Sequence, residues 1–222
     1  MTGTFIVMEG PDKSGKSTQA LLLVRALRGR GLSVVHTREP GGTSLAEAVR
    51  RILLDPRQRI HPLSELLLYE AARAQHTHET ILPALRAGRI VLSERYTMAS
   101  LAYQGCARGL GLGVARTLNR IASFRLVPRL TLVLDIPEPE FDLRPRGRLD
   151  RIELEGARFR KKVAEAYRRL SRTEPGTVLL NGRLARQKLH RKILRIVEPL
   201  VKRLNPPNAR PPAGRGSRPG AC

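Results

Sequence analysis

The sequence predicts an α/β domain of three layers, with helices on both faces of a mostly parallel sheet of about five strands. Three observations predict it. Short apolar runs alternate with helical periodicities along most of the chain, the pattern of buried strands joined by covering helices. A glycine-rich element, Gly10 to Ser17, falls between the first apolar run and the first helical stretch. The 222 residues suffice for one full core but not for two large ones.

The elements follow in order. Thr4 to Met8 (TFIVM) is a β-branched and apolar run that soon meets Gly10, which marks a buried strand. A helix is expected from Gly15 to about Leu27, ended by Gly29 and Gly31, and Leu32 to His36 reads as the next strand. Leu45, Val49, Ile52 and Leu53 recur at helical spacing, and a long helical stretch runs from about Leu63 to Ala87 with a kink expected at Pro83. Arg89 to Ser93 and Leu130 to Ile136 are further buried strands, separated by a helix whose apolar face would be Val114, Leu118 and Ile121. Phe159, Val163, Ala166 and Leu170 mark another helix, Thr177 to Leu180 a last strand, and Leu189, Ile193, Ile196 and Leu200 a closing helix. One domain is therefore expected over 1–204. Residues 205–222, rich in Pro, Gly and Arg, cannot offset their ordering entropy by burial and read as a disordered basic tail.

Lys and Arg number 41 against 19 Asp and Glu, a net charge of +22, which puts anionic partners first. Aromatic residues are only 4% with no Trp, poor material for a base-stacking platform or an interfacial membrane belt. A small phosphate-bearing ligand suits this composition better than nucleic acid, although binding of nucleic acid by the basic tail stays open. Cys106 and Cys222 make no disulfide framework, no basic-then-apolar leader opens the chain, and no apolar stretch nears the ~20 residues of a membrane span. A cytoplasmic protein without membrane attachment is expected.

The run Gly10-Pro11-Asp12-Lys13-Ser14-Gly15-Lys16-Ser17 fits G-x-x-x-x-G-K-[ST], with Thr18 next in the helix. Its glycines let the backbone wrap closely, so that consecutive N–H groups and the positive helix end converge on phosphate oxygens. Lys16 adds a point charge near the β- and γ-phosphates, and the Ser17 hydroxyl can meet Mg²⁺ bridging them. This is a nucleoside triphosphate site. What is done with the triphosphate is not encoded in the loop.

Three later segments bear on that question: Arg38-Glu39-Pro-Gly-Gly-Thr43, Tyr69-Glu-Ala-Ala-Arg73, and Glu94-Arg95-Tyr-Thr-Met-Ala-Ser100-Leu-Ala-Tyr103-Gln104-Gly105. Each lies just beyond a predicted strand or on a helix close to it, and at such strand ends α/β sheets bind their ligands. With Arg146-Gly-Arg-Leu-Asp-Arg151 further on, they resemble the thymidylate kinase family in order and spacing, from about Phe5 to about Leu170. The resemblance implies ATP-dependent phosphorylation of dTMP to dTDP, by a homodimer using Mg²⁺. It implies that Tyr69 stacks on thymine, that Arg73 and Gln104 hydrogen-bond its edge, and that Tyr103 crowds the 2′ position of the sugar. Asp12 and Glu39 would lie near the 3′-hydroxyl and phosphate, Arg95 would grip the 5′-phosphate, and Arg38 and Ser100 complete the acceptor set. Glu94 stands where the family usually has Asp, as a carboxylate organising Mg²⁺ or phosphate, and Lys13 where many members have Gly.

Chemistry independent of the resemblance supports such a transfer. A phosphate monoester has its second pKa near ~6, so the acceptor is already largely dianionic at neutral pH and needs no general base. The obstacle is repulsion between two anions, and cations must relieve it: Lys16, Mg²⁺, Arg95 and the arginines of a short lid at about 143–151, Arg146 and Arg151 among them. Lys13 and Glu94 join these as catalytic candidates. Two rival readings are a kinase for another nucleoside monophosphate and a weakly active relative that only binds nucleotides or nucleic acid.

Overall fold

The computed structural model describes residues 2–143 and 149–202. The middle of the expected lid, Arg146 included, and the basic tail lie outside the described residues.

Five strands form one sheet in the order β2-β3-β1-β4-β5: β1 Thr4–Glu9, β2 Val34–Arg38, β3 Ile90–Glu94, β4 Leu130–Asp135 and β5 Thr177–Asn181. Every pairing is parallel. Ile6 and Met8 face one layer, α1 (Lys16–Arg28) and α9 (Arg186–Val201), while Phe5 and Val7 face the other. This is the strand alternation of a sheet covered twice. The second layer holds α3 (Pro62–His76), α4 (Leu82–Arg86) and α8 (Ala157–Thr173), with α2 (Ser44–Leu54) and α6 (Leu112–Ala122) outside them. Two short helices, α5 (Thr97–Ser100) and α7 (Glu140–Leu143), follow β3 and β4.

Three departures from the expected elements have physical reasons. The second strand begins at Val34 instead of Leu32 because the Leu32 N–H closes α1 on the Leu27 carbonyl at 3.2 Å, and the strand runs on to Arg38. The long helical stretch continues through Pro83 by way of a π-helical turn at Thr77–Ile81. There the Leu82 N–H reaches back to the Thr77 carbonyl, one residue beyond α-helical spacing, just before the residue that lacks an N–H. The apolar face expected of α6 is not all core: Val114 is 45% and Ile121 68% exposed, and α6 buries Ala115, Asn119 and Ala122 instead.

Register places the site. Met8 pairs with Glu94 and Glu94 with Arg38, so the carboxyl ends of β1, β2 and β3 lie side by side, with β4 on the other flank of β1. The chain leaves β1 where the winding of the sheet reverses direction, the place at which such sheets open a crevice.

Candidate active site

Two glycines shape the donor loop. Gly10 takes φ 134°, and a Cβ there would stand 2.4 Å from the Leu134 carbonyl oxygen. Gly15, at φ 95°, precedes α1 in the left-handed region. Inside the loop the Lys16 ammonium donates to the carbonyls of Gly10 at 3.1 Å and Pro11 at 2.7 Å. Ser14 is buried beside it. Burial, with the neighbouring Arg95 charge, pushes the Lys16 pKa down to about 7. Ser17 donates to Glu94 Oε2 at 2.5 Å, while the other oxygen, Oε1, meets His36 Nε2 at 3.0 Å. Burial alone would raise Glu94, but the bonds from His36 and Ser17 hold its carboxyl below the usual range. Asp12, Lys13, Gly15, Lys16, Ser17 and Thr18 line this cleft, together with Arg38, Glu39, Arg50, Glu94 and Arg95.

The donor set suits a hard divalent cation held partly by substrate. A hydroxyl and a carboxylate meet at the phosphate loop, and no group of three or more His, Cys, Asp or Glu gathers as a metal cage among the described residues. Mg²⁺ is bound in this manner, through one or two protein oxygens plus phosphates and water.

A second cleft adjoins the first. Its walls are Tyr69, Ser100, Tyr103 and Gln104 with Leu54, Ile152 and Asp150, and it shares Asp12, Glu39, Arg50 and Arg95 with the donor cleft. Those four residues are where the two spaces meet. Arg95 follows β3 at φ 69°, a left-handed conformation that costs an arginine roughly 1–2 kcal/mol. Its backbone N–H is fixed on the Met8 carbonyl at 2.8 Å. Its guanidinium pairs with Asp12 and donates to the Gly10 carbonyl at 3.2 Å and to the hydroxyls of Tyr167 and Tyr103, each at 3.1 Å. Tyr103 in turn donates to Asp12 at 2.9 Å. Although burial opposes it, the Arg95 and Lys16 charges hold the Asp12 carboxyl below its ordinary value.

Other candidates lie elsewhere than the motifs imply. Arg73, only 2% exposed, stands behind the acceptor wall: Nε donates to Glu39 at 2.8 Å, and the rest of the fork reaches Glu70, Ser100, Asn119 and the Tyr96 carbonyl. It braces Glu39 and Ser100 from the rear and does not line the cleft. Arg151 is turned away from the phosphate loop, with Nε on the Leu53 carbonyl at 2.7 Å and its terminal nitrogen 2.7 Å from Glu65. Lys13 lies over the Phe141 ring at 4.0 Å. Arg38, 54% exposed at the cleft mouth, pairs with Glu47.

Several site residues carry no motif signal. Arg50 lines both clefts and donates to the Pro40 carbonyl at 3.0 Å. Glu9, fully buried, accepts from the Tyr96 N–H at 2.8 Å and from the Tyr167 hydroxyl at 2.8 Å. A carboxylate at the end of an otherwise apolar strand run is the one trace it leaves in the sequence. Glu65 accepts from the Gln104 amide at 2.8 Å, which aims the amide N–H groups at Glu65. His76 Nδ1 meets Glu39 at 2.9 Å.

Comparison with known proteins gives one family. The family model described as Thymidylate kinase matches residues 8–193. A thymidylate kinase of Caldanaerobacter subterraneus subsp. tengcongensis is 42% identical over 204 residues, 91% of this chain and 98% of that protein. One from Pseudomonas fluorescens is 48% identical over 178 residues, covering 79% and 85%. The crystal structure of thymidylate kinase from Ehrlichia chaffeensis superposes with a TM-score of 0.74 at 28% identity, over 89% of this chain and 99% of that one.

Proposed function

Because this chain belongs to the thymidylate kinase family, we propose that it transfers the γ-phosphoryl group of ATP to the 5′-phosphate of dTMP, giving ADP and dTDP. The observation that carries the reading is the junction of the two clefts at Asp12, Glu39, Arg50 and Arg95. A triphosphate in the Gly10–Thr18 loop and a monophosphate beside Arg95 would meet there end to end. Proximity and alignment of reacting groups then supply much of the rate, and fixed cations offset the repulsion between the two anions.

Each side chain takes a part in this reading. Lys16 holds the β- and γ-phosphates, Arg95 and Arg50 the acceptor phosphate. Ser17 and Glu94 would hold Mg²⁺, which supplies charge neutralisation on the triphosphate. Tyr69 offers its ring to the pyrimidine. Glu65 can only accept, so Gln104 turns its N–H toward Glu65 and keeps its carbonyl oxygen for a ring N–H. Tyr103, fixed on Asp12, closes the space beside the sugar. Arg73 acts through Glu39 and Ser100, and Arg151 through Glu65, which also holds Gln104. On its motif alone, Arg146 is assigned to the transferring phosphoryl group, and Lys13 links the loop to the helix that leads toward it.

A coupled ADP-release assay on the purified protein with dTMP, dUMP, CMP and AMP tests the reading. Turnover with dTMP should exceed that with the others; a preference for CMP or AMP would assign a different monophosphate, and absence of dTMP-dependent turnover would refute the phosphotransferase.

Assembly is part of the proposal. Leu63 and Leu67 on α3 and Val114 and Ile121 on α6 are all more than two-fifths exposed on helices that pack side by side. Apolar side chains left exposed on neighbouring helices suit a protein contact, and a homodimer through α3 and α6 would cover them. Ile121→Arg is expected to convert the dimer to a monomer in light scattering after gel filtration; an unchanged mass would exclude this face. No helix among the described residues is long and apolar enough to cross a membrane. The proposed reaction is assigned to the cytoplasm.

A further inference from the structure

We infer that His36 is a positioning residue for Glu94: from the neighbouring strand it fixes one carboxylate oxygen, so that the other stays on Ser17, the hydroxyl facing the triphosphate and its cation. The inference rests on the phosphotransferase reading of this cleft.

The parallel register sets His36 opposite Leu92 and Arg38 opposite Glu94. Leu92 and Glu94 point to the same face of β3, so His36 and Glu94 are diagonal neighbours across two strands. Such a diagonal spans ~7–8 Å between backbones, within reach of long side chains. Glutamate, one methylene longer than the aspartate usual at this position of the family, spans it: Oε1 lies 3.0 Å from His36 Nε2 while Oε2 lies 2.5 Å from Ser17 Oγ.

Glu94 ionised has no hydrogen to give, so the hydrogens belong to its partners. His36 donates from Nε2, and Ser17 donates its hydroxyl hydrogen. The lone pairs of Ser17 are thereby left for a cation in the cleft. The longer side chain carries one more torsion than aspartate would, and its freedom is removed by tying down both oxygens. His36 and Glu94 are 23% and 15% exposed, so the bond between them is partly shielded from water, whereas Ser17 stands exposed at the cleft. Partners that orient a metal-facing group in this way are typically worth ~10–100-fold in metal affinity.

The test uses Mn²⁺ as the probe, titrated by electron paramagnetic resonance into the full-length protein saturated with ADP. His36→Ala should weaken Mn²⁺ binding ~10-fold and lower kcat while leaving the KM for dTMP unchanged. His36→Gln, which keeps an N–H donor, should recover most of both losses and shows that a loss in the alanine variant is not misfolding. In the Glu94→Asp background the shorter carboxylate cannot reach both partners, so His36→Ala should add no further loss. Mn²⁺ affinity within about twofold of the native protein in His36→Ala, no recovery in His36→Gln, or an independent full loss in the Glu94→Asp background would each overturn the inference. The titration needs no turnover. A protein that bound Mn²⁺ and ADP as expected yet failed to phosphorylate dTMP would therefore refute the proposed function without touching the role of His36.

Discussion

Lys16→Met is expected to lower kcat ~10²–10³-fold, the usual cost of removing one fixed positive group from a developing charge, without unfolding the protein. The ammonium is enclosed by the loop carbonyls of Gly10 and Pro11, and burial, with the nearby Arg95 charge, pushes its pKa down to about 7. The sign of the pH dependence follows. Between about pH 7 and the unfolded value near ~10.4, the unfolded chain binds a proton that the folded chain does not, so this lysine makes the native protein gain stability as pH rises. Below about pH 7 both states are protonated, and the full desolvation cost falls on the folded state. Lys16→Met should therefore be more stable than the native protein at pH 7, with the difference in Tm shrinking toward pH 10. Thermal melts at both pH values check it; a gap that widened with pH would contradict the assignment.

Arg95→Ala should have the largest effect of all, on the order of 10³-fold or more in kcat/KM for dTMP, in the range set by arginines that face a phosphoryl group in transfer. It should also cost stability. The guanidinium ties together Asp12, Tyr103, Tyr167 and the Gly10 carbonyl, and each buried group left unpaired costs about 1–3 kcal/mol. Arg95→Lys keeps the charge but not the planar fork, so it should regain stability more than it regains activity. Steady-state kinetics beside denaturant melts separate the two losses. If Arg95→Lys restored both equally, the fork geometry would not matter and Arg95 would act on the phosphate as a point charge alone.

The strands, the glycine loop and the order of the elements are legible in the sequence because each obeys a local rule. Thr4 to Met8 reads as buried on both faces, and Gly10 and Gly15 stand at positive φ, which glycine adopts most readily. What a local rule cannot say is which partner covers an apolar face or claims a long side chain. Val114 and Ile121 keep helical spacing with Leu118, yet the monomer leaves them exposed, since periodicity marks an apolar face but not what covers it. Arg73 sits in a motif associated with base recognition, but three helices and the strand end surround it with acceptors. Arg151 is held on Glu65 for a related reason: that carboxylate is fully buried, and a buried charge stripped of its partner costs about 3–5 kcal/mol. Arg50 and His36 reach the site through helix and strand packing across distances in sequence that no short motif spans.

Geometry also explains how Glu94 and Lys13, the two residues expected to differ from the pattern of the resemblance, are accommodated. Glu94 uses its extra length to meet both His36 and Ser17. Lys13, at φ 60° in the loop, points away from the Lys16 carbonyl cage toward Phe141, so two lysines in one loop do not crowd one another.

The continuity of the donor and acceptor clefts across Asp12, Glu39, Arg50 and Arg95 is tested most directly by calorimetric binding of a dinucleotide in which adenosine and thymidine are joined 5′ to 5′ by one polyphosphate chain. It should bind at least ~100-fold more tightly than ATP or dTMP alone, since tethering makes the second contact intramolecular, and both Lys16→Met and Arg95→Ala should abolish that gain. An affinity no better than that of ATP alone would show that the two nucleotides do not meet in one cleft.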